Sequence, residues 1–83
     1  METTVRVAVI NRINSLLAKH GITLYKLAKQ SNVPYGTLKN IMSAGNENKA
    51  VNLSTAIQIA QGFGMTISEF LDDPTFNEDN LTL

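Results

Sequence analysis

The chain of 83 residues contains no cysteine, no apolar run approaching the roughly 18 residues of a membrane span, and no excess of charge of either sign. Each absence closes a class. Without cysteine there is no disulfide framework and no thiolate metal site, so the fold must rest on its apolar core. Without a long apolar run, or a charged, apolar and cleavable segment at the start, neither a spanning helix nor a secretory signal is expected. A cytoplasmic location follows as the expectation. No internal repeat or low-complexity segment occurs, and the length suits one small domain.

Catalytic chemistry is also thinly supplied. A nucleophile needs an adjacent base, and the sole histidine, His20, falls at a helix end, so the chain is expected not to be an enzyme. Asp72-Asp73 and Glu78-Asp79 are pairs of neighbouring carboxylates late in the chain and read as solvated charge, with no metal and no cofactor expected.

The neutral total hides an uneven distribution. All seven basic residues, Arg6, Arg12, Lys19, Lys26, Lys29, Lys39 and Lys49, lie in the first fifty positions against Glu2 and Glu47, whereas Glu69, Asp72, Asp73, Glu78 and Asp79 follow with no base among them. The first part therefore carries the positive field that a polyanion would meet.

The most informative stretch runs from Thr23 to Ser43. Thr23 is placed to cap a helix in which Leu24, Leu27 and Ala28 share an apolar face, and Lys26, Lys29 and Gln30 point elsewhere. Ser31-Asn32-Val33-Pro34 breaks the periodicity, because Asn tolerates a left-handed backbone and Pro suits the start of a helix but not its interior. A second helix is predicted from near Pro34, burying Leu38 and Ile41 with Val33 and Met42, and leaving Tyr35, Gly36, Lys39 and Asn40 on another face. Two short helices joined by a tight turn, with the second polar on one side, form the pattern of a helix-turn-helix DNA reader. Ala28 is small enough to let the two helices approach.

Around this motif, a helix is predicted from about Val5 to Lys19, with Thr3 or Thr4 as cap and Gly21 as its left-handed stop; the alternation from Val5 to Val9 also fits a short extended arm. Residues 44–51 read as a polar connector. Asn52 caps a helix whose apolar stripe is Leu53, Ala56, Ile57, Ala60 and Phe63, stopped by Gly62 and Gly64. Thr66 and Glu69 form a capping box for a last helix burying Ile67, Phe70 and Leu71, ended by Asp72-Asp73-Pro74. The domain is expected to span residues 1–74, with residues 75–83 as an acidic tail, frayed or docked on a second subunit through Phe76, Leu81 and Leu83.

From Val9 to Leu71, through Lys19-His20-Gly21, LYKLAKQSNVPYGTLKNI and GMTISEFL, the chain resembles the phage repressor and Cro-like helix-turn-helix family, the lambda-repressor-like domains. The resemblance implies an all-α, compact five-helix bundle whose third helix reads DNA. It implies a sequence-specific regulator of transcription binding double-stranded DNA, most simply a repressor on an operator, acting as a homodimer. The same fold also serves as the DNA-binding antitoxin of some toxin pairs, which leaves a protein-interaction module as the alternative. Base readout is expected from Tyr35, Gly36, Thr37, Lys39 and Asn40. Phosphate contacts are expected from Thr23, Tyr25, Lys26, Lys29, Asn46, Asn48 and Lys49. The chain departs from the family pattern with Leu24 where many members carry Gln, Asn32 for the turn Gly, Pro34 for a Ser or Thr cap, and Gly36 where relatives place a base-contacting side chain.

Overall fold

Short polar side chains open four of the five α-helices among the described residues. The computed structural model describes residues 3–43, 45 and 49–82. In it α1 (Val5–His20) starts under Thr4, whose hydroxyl accepts from Val7 N at 3.2 Å, and α2 (Leu24–Ser31) starts under Thr23, which accepts from Lys26 N at 3.1 Å. Helix α4 (Leu53–Gly62) is capped by Asn52, which accepts from Ser54 N at 2.8 Å. The expected capping box opens α5 (Ile67–Leu71): Thr66 N donates to Glu69 Oε1 at 2.9 Å, and Glu69 N to Thr66 Oγ1 at 3.2 Å. Each bond satisfies a first-turn donor that the helix itself leaves unpaired. The exception is α3 (Tyr35–Met42), which begins at Pro34 with no side-chain cap.

Stops are equally local. Gly21 ends α1 at φ 64°, and Asn32 takes up φ 59° between α2 and α3, the left-handed turn expected of it.

The helices enclose one core. Ile13 and Leu16 of α1, Leu27 and Ala28 of α2, Val33, Leu38 and Ile41 around α3, Ile59, Ala60 and Phe63 at α4, and Phe70 of α5 are all buried in it. Two apolar expectations change. On α4 the stripe is Ala56, Ile59, Ala60 and Phe63, the i, i+3, i+4, i+7 face, while Leu53 is 65% exposed and Ile57 only half-buried. Leu53 is the first residue of its helix and lines a surface cleft. Leu71, which lines the same surface cleft as Leu53, is likewise 43% exposed.

The segment after α5 is folded against its own domain instead of frayed. It makes 3-10 turns at Pro74–Phe76 and Glu78–Asn80, sets the Phe76 ring 5.9 Å from that of Phe70, and ends in β2 (Leu81–Thr82). This strand pairs in parallel with β1 (Thr3–Thr4), so the extended arm considered for Val5 to Val9 is confined to the two residues before α1. Arg12 fastens the junction. Its Nε donates to Phe70 O at 2.8 Å, its Nη2 to Glu69 O at 3.0 Å, and its Nη1 forms an ion pair with Asp73 Oδ2 at 3.1 Å. Carbonyls at the end of α5 are thereby satisfied by a cation, which also meets the helix's negative pole. No helix among the described residues is long and apolar enough to cross a membrane.

Candidate nucleic-acid interface

Helices α2 and α3 are held at a fixed angle by a turn pinned from inside. Ser31 is buried; its hydroxyl donates to Ala28 O at 3.4 Å and accepts from Val33 N at 3.3 Å, so the chain leaving α2 is bonded back to it before α3 begins. Val33, Leu38 and Ile41 then seat α3 in the core. Because these occupy one side of an eight-residue helix, Tyr35, Gly36, Thr37, Lys39 and Asn40 are all left exposed on the other. The five residues expected to read bases thus share one accessible face.

From that face onto α2 runs a ridge of two rings flanked by two ammonium groups. The Tyr25 ring of α2 meets the Tyr35 ring of α3 edge-on, with centroids 5.4 Å apart and planes at 78°. Lys29 Nζ lies 4.9 Å from the centroid of Tyr25, and Lys39 Nζ lies 5.6 Å from that of Tyr35. Each such cation–ring contact contributes about 0.5–1 kcal/mol at an exposed site, enough to bias a flexible lysine toward one direction. The order Lys29, Tyr25, Tyr35, Lys39 therefore joins two residues expected at phosphates to two expected at bases. Both tyrosines remain open, at 54% and 41% exposure.

Lys26 is exposed on the same helix, and Thr23, at its cap, has a hydroxyl that accepts from Lys26 N and can donate at the same time. Lys49 is exposed beyond α3. Asn46 and Asn48 lie outside the described residues.

Among the described residues of α2, α3 and the turn between them nothing is negative. From Thr3 to Asn46 the sequence contains no carboxylate, and the first-turn amides of α3 are not covered by a side-chain cap. A Cβ built on Gly36 would meet no atom within 4 Å, so the fold does not itself require glycine in the exposed first turn of α3.

Two contributions escape sequence reasoning. Arg6, counted above among the basic residues, is buried at 5% exposure, and its Nη2 donates to Asn40 O at 3.1 Å and to Asn40 Oδ1 at 3.2 Å. Its only sequence signal is a charge set between Val5 and Val7 at the start of an apolar helix face. Gly62, expected merely as a stop, is a buried contact of α4 with α2.

A buried turn between two short helices, with the second presenting a polar, carboxylate-free face, defines a helix-turn-helix DNA-binding domain. The model of the Cro/C1-type HTH DNA-binding domain family matches residues 12–75, and the chain belongs to that family. No curated protein and no solved structure matches it. The domain is a DNA-binding, regulatory one.

Proposed function

We propose that the protein is a sequence-specific regulator of transcription, most simply a repressor that occupies an operator in double-stranded DNA as a homodimer. The observation that carries this reading is the exposed face of α3, flanked by the Lys29, Tyr25, Tyr35, Lys39 ridge and free of carboxylates. An α-helix with its side chains is about 10–12 Å across and fits a major groove about 12 Å wide. Tyr35, Thr37, Lys39 and Asn40 then face base edges, and Gly36 lets the backbone come close. Thr23, Tyr25, Lys26, Lys29 and Lys49, with Asn46 and Asn48, meet phosphates on either side.

The dimer is supported by an apolar cleft of about 550 Å³ on another part of the surface, lined by Val5, Val51, Leu53, Leu71 and Phe76 among others. Exposed apolar side chains gathered in one place are a surface for association. Glu78 also lines this cleft, which favours as a second reading a partner protein with basic side chains, as for an antitoxin. Acting on DNA, the protein works in the cytoplasm.

Selection of bound sequences from a random duplex pool, at about physiological salt, tests the reading. A two-fold-related motif is expected, with half-sites about one helical turn apart. Folded protein that enriches no sequence contradicts it.

A further inference from the structure

Among the described residues, Arg6 is a buried cation that bonds to no carboxylate. Its Nε donates to Ile41 O at 3.3 Å, its Nη1 to Lys49 O and Ala50 O at 3.4 Å each, and its Nη2 to the backbone and side-chain oxygens of Asn40. The five N–H bonds of a guanidinium are thereby all committed. Among the described residues the ion pair present is that of Arg12 with Asp73, and the partners of Arg6 are carbonyl dipoles. Two of those carbonyls close α3, where the helix leaves its acceptors unpaired and its field is negative. The other two belong to the chain that re-enters the domain before α4. Arg6 therefore reaches from α1 and holds the end of the reading helix in place.

We propose that Arg6 is a positioning residue for DNA recognition, which it exerts by fixing the side chain of Asn40; the inference rests on the reading of α3 given above. A guanidinium has donors and no acceptor, so the group of Asn40 that faces it is the amide oxygen, whichever way the amide might otherwise be turned. The bidentate contact by which an asparagine specifies adenine needs that oxygen to accept from N6 while the nitrogen donates to N7. Held at 3.2 Å by Arg6, the oxygen has one of its two lone pairs engaged, and the guanidinium sets the direction in which the amide presents its remaining groups. Arg6 on α1 thereby takes part in deciding which base is preferred at the position that Asn40 faces.

Sequence selection from a random duplex pool, run on the wild-type protein, Arg6→Lys and Asn40→Ala, tests this. Lysine keeps the charge but has three N–H bonds for five acceptors. Arg6→Lys is expected to remain helical and to keep the wild-type salt dependence. It is expected to change discrimination by about tenfold or more at the one base-pair position that Asn40→Ala also alters. A folded Arg6→Lys with the wild-type motif at every position overturns the inference. Should Arg6→Lys not fold, Asn40→Asp leaves the clamp intact and gives it a carboxylate: its melting temperature is expected above that of Asn40→Ala, and equality of the two overturns the contact. If the folded wild-type protein selects no sequence, the DNA reading itself falls, while the melting series still reports whether Arg6 holds residue 40.

Discussion

Gly62 of α4 and Ser31 of α2 touch so closely that a Cβ on the glycine would stand 2.7 Å from Ser31 Cβ and 3.1 Å from Ser31 Cα. Since one of the obstructing atoms is backbone, the methyl could be admitted only by moving α2, which carries half of the motif. Gly62→Ala is therefore expected to destabilise the domain by about 1–3 kcal/mol, although alanine alone would favour the helix by up to about 1 kcal/mol. Thermal unfolding checks it, and a melting temperature equal to or above wild type would contradict the tight crossing.

Gly36 is the opposite case. With open space around its missing Cβ, Gly36→Ala is expected to stabilise the fold by about 0.5–1 kcal/mol. If the first turn of α3 lies against the groove, the same methyl weakens DNA binding. Melting temperature and fluorescence anisotropy with the selected duplex should move in opposite senses, whereas unchanged affinity would show that no surface approaches closely at this residue.

Lys29 and Lys39 each lie over a tyrosine ring, so their alanine variants lose comparable contacts within the protein. Their effects on DNA should differ. Lys39→Ala is expected to change base preference by about 1–3 kcal/mol at one position. Lys29→Ala should weaken all sequences alike and reduce the log-log salt slope by about 0.9. The two roles would be exchanged or absent if the profiles came out alike.

Glu69 sets a pH dependence. The Thr66 backbone N–H, and secondly the Thr66 hydroxyl, bond its carboxylate and hold its pKa below the ordinary carboxylate value. A group whose pKa is lower folded than unfolded contributes stability above its unfolded pKa and loses it as pH falls through the folded one. The advantage of wild type over Glu69→Gln should thus be greatest near neutrality and shrink below the usual carboxylate range. Melting curves of both proteins from neutral to acid pH would show it, and a constant gap would contradict the bond's preference for the ionised form.

Arg12 joins α1 to α5 and to Asp73 with three bonds from a largely buried guanidinium. Arg12→Ala is expected to cost about 1.5–3 kcal/mol, the range for hydrogen bonds to a charged group. The loss should be local to residues 66–82, where amide hydrogen exchange would quicken before it does in α2 and α3.

Most of the helix limits were legible because they depend on neighbours in sequence. Thr23, Asn32, Pro34 and the Thr66-Glu69 pair each act on amides or backbone angles within four residues. So were the motif and the exposed face of α3, which follow from a 3.6-residue period once Leu38 and Ile41 are assigned to the core. Leu53 and Leu71 were not, because both lie at helix ends, where burial depends on what happens to pack beyond. Arg6 was hidden for a related reason: its acceptors, from Asn40 to Ala50, are at least 34 positions away, and none of them is charged. The Tyr25–Tyr35 contact arises from the crossing of two helices, and no spacing along either one reveals it.

The parallel pairing of Thr3 with Leu81 and Thr4 with Thr82 makes neighbours of residues from opposite extremes of the described chain. Paired strands run about 4.8 Å apart. Because the two strands point the same way, a covalent splice from Thr82 to Thr3 would have to double back along the two-residue pair, and the cut for a rearranged chain order could be opened in the connector between α3 and α4. Such a permuted protein would keep every helix of the motif continuous while reversing which half is synthesised first.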